Sequence, residues 1–271
     1  MSGPVSKLLA NKTAIVYGGG GAIGGATARV FAREGARVFL AGRTPAKLAA
    51  VARDIEAAGG SAEVAVLDVF DECAVAAHAD AVASKTSGID IMLNAIAIAH
   101  VQGNPFTETS LAEFDQPITA TARAQFIPAQ AVARHMITRQ RGVILTLTTP
   151  GGRIAGKGFL TNGVFSAATE AFSRLLAAEL GGFGIRVVCL RPDAIPDAVA
   201  LSGSREVFEG FSRRVGIPVA EMLAEHARTA TLLGRLPQLA EVAEFAAFAA
   251  SDRAGAMTGA IANLTCGSMV D

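Results

Sequence analysis

Six glycines occupy the segment YGGGGAIGG, residues 17–25, and residues of this type at this spacing can serve phosphate chemistry. Glycine has no Cβ, so its backbone can turn sharply and approach a pyrophosphate closely. A helix that begins in the segment would add free N–H groups and the positive end of its dipole. The segment therefore predicts a pyrophosphate site, with a purely structural glycine turn as the alternative. The residues assigned to the site are Gly18, Gly20, Gly21, Ala22 and Ile23.

The segment AGRTPAKL, residues 41–48, offers a cation where a carboxylate would bind the hydroxyls of an adenosine ribose. The guanidinium of Arg43 suits a 2′-phosphate instead. The sequence therefore favours NADP(H) over NAD(H) as cofactor, with Arg43 and Thr44 at the phosphate. The alternative for Arg43 is an ordinary surface charge. After the next apolar run, Asp68 and Val69 are placed to meet the adenine edge.

Short apolar runs alternate with longer alanine-rich segments along the chain. Strands that are apolar on both faces and separated by helices predict a parallel sheet covered on both sides. With right-handed crossovers, the fold class is α/β, a single doubly wound Rossmann-like domain over residues 1–271. The predicted strands are 13–17, 36–41, 62–67, 89–94, 142–148, 185–190 and 260–264. The predicted helices lie near 23–34, 45–58, 71–87, 110–140, 163–181 and 238–250.

Residues 193–237 break the regular alternation, between the sixth and seventh predicted strands. The segment carries Pro196, Pro218 and Pro237 and is expected to hold two short helices. Ligands of open α/β sheets bind beyond the carboxyl ends of the strands, so an insertion there is a natural substrate lid. A solvated loop or an oligomer contact is the alternative.

The composition argues against several classes of protein. Lys and Arg number 24, as do Asp and Glu, and the chain has no Trp and one Tyr, which disfavours nucleic-acid binding. Three widely spaced cysteines without a CxxC disfavour a zinc site or a disulfide framework and fit a reducing cytoplasm. No apolar run approaches the length of a membrane span. We expect a cytoplasmic protein that acts on a small molecule, away from membranes.

Five segments, taken in chain order, resemble the sequence patterns of the short-chain dehydrogenase/reductase family. They are YGGGGAIG (17–24), LDV (67–69), LNAIA (93–97), GIRVVCLRPDAI (184–195) and the closing stretch 233–267. The first looks like the family's TGxxxGIG. The third keeps Asn94 and Ala95 of the family's NNAG, and the fourth has Asp193 where the family has glycine.

The resemblance implies a Rossmann-like fold with a nicotinamide cofactor, in a homodimer or homotetramer. It adds Asn94, Ala95 and Ile195 to the cofactor contacts expected from the residues. The usual chemistry of the family is hydride exchange between the nicotinamide and a carbonyl or alcohol carbon. In that reaction a Tyr transfers the proton, a Lys four residues later activates it, a Ser polarises the substrate oxygen, and an Asn holds a relay water.

All four catalytic positions implied by the resemblance depart from the family's pattern. The Ser becomes Thr149, the Tyr becomes Asn162, the Lys becomes Ser166, and the relay Asn falls near Thr121. Thr149 keeps a hydroxyl that can polarise an oxygen. Asn162 can donate a hydrogen bond but cannot give up a proton, and Ser166 brings no positive charge.

No other tyrosine can take over this role. In the enoyl-reductase branch of the family the Tyr lies seven residues before the Lys, and that position is Phe159 here. The one tyrosine of the chain, Tyr17, lies in the phosphate loop. The protein is therefore expected to have no tyrosine acid.

Reduction of an enoyl thioester tolerates this loss better than ketone reduction. Hydride addition to the β-carbon leaves a delocalised enolate, which hydrogen-bond donors such as Thr149 and Asn162 can stabilise. His100 is the titrating candidate for delivering the remaining proton, and an exposed or hydrogen-bonded loop histidine is the alternative. Arg205, Arg213 and Arg214 of the insertion either meet a carrier's phosphates or form a solvated helix face.

Three hypotheses for function follow. The first is an NADP(H)-dependent oxidoreductase with a non-standard site that reduces an activated C=C bond. The second is a catalytically silent cofactor-binding or partner protein on the same fold. The third is a non-redox enzyme that reuses the pocket. The glycine loop and Arg43 favour the first two, and the resemblance favours an oxidoreductase.

Overall fold

Apolar segments form a seven-stranded parallel sheet within residues 7–201 and 204–270, which the computed structural model describes. The strand order is β3-β2-β1-β4-β5-β6-β7, and each neighbouring pair is parallel. The strands are β1 (Thr13–Tyr17), β2 (Arg37–Gly42), β3 (Ser61–Val66), β4 (Ile91–Asn94), β5 (Gly142–Leu147), β6 (Ile185–Pro192) and β7 (Ala260–Leu264). The order reverses between β1 and β4, which confirms the predicted doubly wound α/β fold.

Helices cover both faces of this sheet. They are α1 (Ala22–Arg33), α2 (Pro45–Ala57), α3 (Glu72–Lys85), α4 (Leu111–Arg139), α5 (Leu160–Leu180), α6 (Pro196–Leu201), α7 (Ser204–Val215), α8 (Val219–Ala230) and α9 (Leu239–Ala250). Because successive side chains of a strand point to opposite faces, β1 contributes to two cores. Ala14 and Val16 pack towards α1, α2 and α9, whereas Ile15 and Tyr17 pack towards α3, α4 and α5.

The parallel strands bring the segments of interest to one edge of the sheet. The glycine loop follows β1, Arg43 follows β2, Asp68 follows β3, and Thr149 follows β5. All of these strands run in the same direction, so their carboxyl ends meet at this edge. The fold thus collects residues that lie far apart in the sequence.

Most predicted element boundaries lie within two residues of the observed ones. β1 and β7 coincide with their predictions, and β6 extends two residues further, to Pro192. β4 begins at Ile91 and not at 89, because the Asp90 carboxylate accepts a hydrogen bond from the backbone N–H of Thr13 (2.9 Å). Helix α5 begins at Leu160, three residues earlier than predicted.

The insertion at 193–237 holds three helices among its described residues, α6, α7 and α8, so the expectation of two was wrong. The reason lies in two prolines. A proline is tolerated in the first turn of a helix, where its missing N–H has no partner to lose. Pro196 is the first residue of α6, and Pro218 is the N-cap of α8. They begin helices where the sequence pattern indicated breaks.

No helix in the described ranges combines the length and the apolar character that crossing a bilayer requires.

Candidate active site

The glycine loop is packed too tightly for side chains at two positions. A Cβ on Gly18 would lie 2.5 Å from the carbonyl oxygen of Ala95, and φ at Gly18 is +79°. A Cβ on Gly24 would lie 2.3 Å from the carbonyl oxygen of Gly18. Helix α1 begins directly behind the loop, and its N-cap, Gly21, supplies no side-chain cap. This cradle of bare backbone and open N–H groups suits the pyrophosphate of a dinucleotide.

The predicted adenosine-side residues meet at the ends of β2 and β3. The backbone N–H of Leu67 donates to the carbonyl of Gly42 (3.0 Å), which brings Asp68 next to Arg43. Arg43 is exposed, and no ion pair to its guanidinium occurs within the described part of the chain. Thr44 is the N-cap of α2 and makes no side-chain cap bond. These groups are available to a ligand phosphate.

Val69 and Asp68 differ in exposure. Val69 is buried in the core beneath α3, whereas Asp68 is exposed and accepts a hydrogen bond from the N–H of Phe70 (3.0 Å). That bond fixes the carboxylate at the carboxyl edge of the sheet. Of the two residues, only Asp68 is accessible at the end of β3, and the contact of the pair with an adenine stays a prediction.

The side chain of Asn94 forms hydrogen bonds within the protein. Its amide nitrogen donates to the carbonyl of Ala124 (2.7 Å) and to Oε1 of Gln125 (3.0 Å), and its Oδ1 accepts from the N–H of Ile96 (3.2 Å). The side chain thus ties the end of β4 to α4. Ala95, the next residue, lies against Gly18. Of these two predicted contacts, Ala95 lines the cradle and Asn94 supports it.

Ile195 joins the glycine loop in an apolar cluster. It is buried together with Ala198 and Val242, and Ala22 and Ile23 pack against this group. Three predicted cofactor contacts from opposite ends of the sequence therefore meet at the start of α1.

Three of the four predicted catalytic positions form one hydrogen-bonded group. The hydroxyl of Thr149 donates to Oδ1 of Asn162 (3.0 Å) and lies 2.8 Å from the hydroxyl of Ser166. Because the proton of Thr149 points to Asn162, the Ser166 hydroxyl donates to Thr149. Asn162 and Ser166 are buried, one helical turn apart on α5. The turn after β5 brings Thr149 to both.

Gly151 is required at this junction. Its N–H donates to the hydroxyl of Thr149 (3.1 Å), and a Cβ on it would lie 1.8 Å from Oδ1 of Asn162. A larger residue would push Asn162 away from Thr149. The glycine therefore permits the close approach that the hydrogen-bonded group needs.

Thr121 does not join the group. Its hydroxyl, on α4, is buried and has no hydrogen-bond partner among the described residues. The structure therefore gives the fourth predicted position no shared hydrogen bond with Thr149, Asn162 or Ser166.

His100 extends the hydrogen-bonded group. Its Nε2 lies 3.3 Å from the amide nitrogen of Asn162, and its Nδ1 lies 3.0 Å from the carbonyl oxygen of Ile98. A carbonyl only accepts, so in the neutral ring with its proton on Nδ1 that nitrogen donates to Ile98 and Nε2 accepts from Asn162. Nε2 also lies 3.3 Å from Oε1 of Gln102, an acceptor to which it can donate only when Nε2 too carries a proton. Burial lowers the pKa of His100, despite its bonds to Ile98 and Gln102. Burial thus favours the neutral imidazole, and Nε2 faces Asn162.

The hydroxyl of the one tyrosine has no hydrogen-bond partner among the described residues. Tyr17 is buried on the α3 side of the sheet, where its ring meets that of His78 edge to face, with 6.1 Å between centroids. Burial raises the pKa of Tyr17 far above its ordinary value. Phe159, at the position used by the enoyl-reductase branch, is the N-cap of α5. Neither residue supplies an acid to Asn162.

The insertion packs onto the loop that carries His100, which the sequence did not indicate. Phe211 of α7 meets Phe159 edge to face, with 5.5 Å between centroids, and a Cβ on Gly103 would lie 2.5 Å from its ring. Arg214 donates from Nη1 to the carbonyl of Gln102 (2.9 Å). Gly103 has a φ of +91°, a conformation that favours glycine. The glycine at position 103 was therefore the one sequence feature that could have indicated a close contact at this loop.

Known proteins share this architecture. The model of the family described as enoyl-(acyl carrier protein) reductase matches residues 20–268. The oxidoreductase YxbG of Bacillus subtilis is similar, 32% identical over 261 residues, which cover 93% of this chain and 88% of that one. Gluconate 5-dehydrogenase of Gluconobacter oxydans is 32% identical over 192 residues, which cover 71% of this chain and 74% of that one.

Solved structures agree on the fold. A dehydrogenase/reductase from Sinorhizobium meliloti has a TM-score of 0.81 and 27% identity, with 98% of each chain covered. NAD+-bound xylitol dehydrogenase has a TM-score of 0.85 at 22% identity, with 96% of this chain and 99% of that one covered, and shows the fold alone. The sheet and the glycine cradle define a dinucleotide-binding α/β protein. More narrowly, the chain belongs to the short-chain dehydrogenase/reductase family, whose oxidoreductases use nicotinamide cofactors.

Proposed function

We propose that this protein is an NADP(H)-dependent oxidoreductase that reduces a C=C bond conjugated to a carbonyl, as in an enoyl thioester. The observation that carries the proposal is the hydrogen-bonded chain Thr149–Asn162–His100, in the place where the family's pattern has Ser and Tyr. The chain offers hydrogen-bond donors beside one titrating group.

The missing tyrosine and lysine decide the type of acceptor. Ketone reduction generates a strongly basic alkoxide, for which a matched general acid contributes roughly a hundredfold or more in rate. Conjugate reduction generates an enolate, whose charge is delocalised. Neutral donors can stabilise that oxygen without giving up a proton. The hydroxyl of Thr149 and the amide of Asn162 are donors of this kind.

A reduced nicotinamide cofactor, held by the glycine loop and Arg43, would supply a hydride for the β-carbon of the substrate. Thr149 turns its hydroxyl proton from Oδ1 of Asn162 to the developing enolate oxygen. Protonated His100 then delivers the proton on Nε2 to the α-carbon, directly or through one water, and becomes the neutral ring of the resting structure. Solvent returns the proton to His100. The net change is addition of one hydride and one proton across the C=C bond.

Arg43 supports the choice of NADP(H). Its exposed guanidinium follows β2 at the N-cap of α2, whose side chain makes no cap bond, and forms no ion pair within 4.0 Å among the described residues. A 2′-phosphate would gain a charge-assisted bond there. An unphosphorylated ribose offers only neutral hydroxyls, without the ion pair that the phosphate adds.

The insertion and the exposed apolar residues bear on the wider proposal. Contacts of Phe211 and Arg214 with the His100 loop support residues 193–237 as a substrate lid on one domain spanning residues 1–271.

Phe126 of α4 and Leu175 of α5 are large, apolar and exposed, which supports a homodimer or homotetramer. The free cysteines of the described chain fit a reducing cytoplasm.

A catalytically silent cofactor-binding protein is the second candidate. The observation in its favour is that Thr149 already donates to Asn162 and accepts from Gly151. A substrate oxygen must displace one of these bonds. The same fold would then serve sensing or partner binding.

The first test is titration of the purified protein with NADPH and with NADH, followed by cofactor fluorescence. The absence of Trp leaves that signal clean. We expect tighter binding of NADPH, and we expect Arg43→Ala to weaken NADPH binding about 10- to 100-fold, as loss of a charge-assisted bond does. NADH affinity should stay unchanged. Arg53→Ala, which removes an exposed arginine further along α2, is the matched control.

Turnover then separates the two candidates. NADPH oxidation with crotonyl-coenzyme A and with cyclohexanone is compared at equal enzyme concentration. Oxidation with the enoyl thioester alone supports the proposal. Oxidation with neither substrate, after tight NADPH binding, favours the silent protein, and failure to bind either cofactor overturns both candidates.

A further inference from the structure

Glu170 is a buried carboxylate held by two arginines. It is 2% exposed on α5, its Oε1 lies 3.1 Å from Nη1 of Arg191, and its Oε2 lies 3.2 Å from Nε of Arg153. Arg191, on β6, is completely buried. We call Glu170, Arg153 and Arg191 the Glu170 cluster.

The Glu170 cluster joins the three segments that surround the reactive group. Glu170 lies one turn after Ser166 and two turns after Asn162, on the same buried face of α5. Arg153 ends the turn that begins at Thr149. Arg191 belongs to the end of β6, beside β5.

The turn with Thr149 lies directly on α5. A Cβ on Gly152 would lie 2.8 Å from the backbone nitrogen of Ala167. The hydroxyl of Thr148 donates to the carbonyl of Ser166 (3.1 Å). Small movements of this turn along α5 therefore change the distances from Thr149 to Asn162 and Ser166.

Stability alone does not explain a buried ion pair at this place. Removing two charges from water is costly, and well-packed apolar residues of similar volume often serve stability as well or better. A buried ion pair holds its two side chains in a fixed geometry, because separating them would leave an uncompensated charge in the interior. In the Glu170 cluster the buried Arg191 fixes the carboxylate, and the half-exposed Arg153 connects that carboxylate to the turn that begins at Thr149.

We propose that Glu170 is a positioning residue of the site, which acts through Arg153 to hold the Thr149 turn against Asn162 and Ser166. This inference rests on the proposed function for its catalytic consequence, but its structural part stands alone. Glu170 itself touches none of the reacting groups. It influences the reacting groups through the 3.0 Å hydrogen bond from Thr149 to Asn162. Asn162 in turn contacts His100.

Arg153→Met tests the proposal without leaving a bare charge in the interior. The side chain of Arg153 is 52% exposed, and Glu170 keeps its bond to Arg191 in the variant. Arg174→Met is the matched control, because Arg174 is 50% exposed and 4.0 Å from the same carboxylate but belongs to α5 itself. Only the first substitution disconnects the turn from the helix.

The readout is the titration of His100 by NMR in histidine-labelled protein, with its signal assigned by its loss in His100→Asn. A loosened Thr149–Asn162 bond admits water, so we expect the pKa of His100 in Arg153→Met to rise towards its ordinary value. In Arg153→Lys the pKa of His100 should return most of the way to its wild-type value. In Arg174→Met the pKa of His100 should equal the wild-type value. An unchanged His100 titration in Arg153→Met, with thermal melting confirming a folded protein, overturns the proposal.

Kinetics distinguish this inference from the proposed function. If the wild-type protein reduces enoyl thioesters, Arg153→Met should lower kcat about tenfold with unchanged NADPH affinity. A fall in NADPH affinity without a change in kcat overturns the positioning role. If the wild-type protein has no turnover, the proposed function fails while the His100 titration still decides the role of Glu170.

Discussion

The glycine loop and the hydrogen-bonded group of Thr149, Asn162 and Ser166 depart to different degrees from the pattern of the family. At the glycine loop the chemistry belongs to backbone N–H groups, and the contacts of Gly18 and Gly24 leave no room for side chains. In the group of Thr149, Asn162 and Ser166 the chemistry depends on side chains. Asn162 and Ser166 do not titrate, unlike the Tyr and Lys of the family's pattern. Cofactor binding and proton transfer are thus separable features of one fold.

The difference has a physical basis. A phosphate cradle depends on backbone shape, so a substitution within it causes a steric clash and the whole function is lost. A proton-transfer site depends on the pKa values of side chains, so a substitution that leaves the backbone in place preserves the fold and changes the chemistry. Asn162 and Ser166 illustrate the second case, since both are buried and hydrogen-bonded where the pattern has Tyr and Lys.

The largest effect is expected from Gly18→Ala. Its Cβ would lie 2.5 Å from the Ala95 carbonyl, so the cradle must open, and we expect NADPH affinity to fall by roughly a hundredfold or more. Gly59→Ala is the matched control, because Gly59 has a similar φ of +77° but nothing within 4 Å of its Cβ. Equal loss of binding in both variants would mean that backbone strain, and not the cradle, is responsible.

The double variant Asn162→Tyr/Ser166→Lys tests the proton-transfer group around Thr149. It restores the acid and its activating cation, so reduction of cyclohexanone with NADPH should rise by about a hundredfold over the wild type. Asn162→Tyr alone is the control and should show a smaller gain. If a folded double variant binds NADPH but gains nothing, the site has lost more than its two titrating groups.

A smaller effect is expected from His100. Because burial lowers its pKa below the ordinary histidine value, the protonated form becomes scarce as the pH rises through that lower pKa. The rate of enoyl reduction should therefore increase as the pH falls below about 6.5. His100→Gln should flatten the profile and lower the acid-side rate about tenfold. A profile that is identical in wild type and variant would remove His100 from the proton path.

The fold and the cradle were predictable because both follow from local patterns. Apolar runs and a glycine run specify parallel strands and a tight loop over a few residues, and β1 and β7 match residue for residue. The group of Thr149, Asn162 and Ser166 was located by resemblance, but its bonds were not. The link from Asn162 to His100 joins residues 62 positions apart, and no local pattern encodes it.

The insertion resisted prediction for a related reason. Its prolines mark helix starts as well as breaks, and its contacts depend on how the helices return to the sheet. Phe211 on Gly103 and His226 on Asp193 are both such long-range contacts. Asp193 was visible in the sequence as a departure from glycine, but its partner on α8 was not.

The smallest predicted effect concerns that contact, which fastens the insertion to the carboxyl edge of the sheet. Nε2 of His226 on α8 lies 2.9 Å from Oδ2 of Asp193, and Ser268 donates to the same carboxylate oxygen. The hydrogen bond to Asp193 raises the pKa of His226. Burial opposes ionisation of Asp193, but its bonds to His226, Ser268 and Ala194 outweigh burial and lower its pKa.

The sign of the pH dependence follows from these two directions. The contribution of His226 is fully present below about pH 6.5 and is lost as the pH rises through its raised pKa in the folded protein. The contribution of Asp193 is present above its ordinary pKa and is lost as the pH falls through its lowered one. Among the described residues, the thiol of Cys266 interacts electrostatically with Asp193, and the ion-paired Glu225 and Arg228 flank His226 in the sequence of α8.

Hydrogen exchange of the α8 amides, corrected for intrinsic rates, is the measurement. Protection should be greater at about pH 5 than at about pH 8, on either side of the ordinary histidine pKa. His226→Gln keeps a hydrogen-bonding side chain without the charge, so protection in that variant should no longer depend on pH. The amides of α1 serve as the internal reference, because α1 lies outside the insertion. A pH dependence that persists in His226→Gln would assign it to a group other than the His226–Asp193 pair.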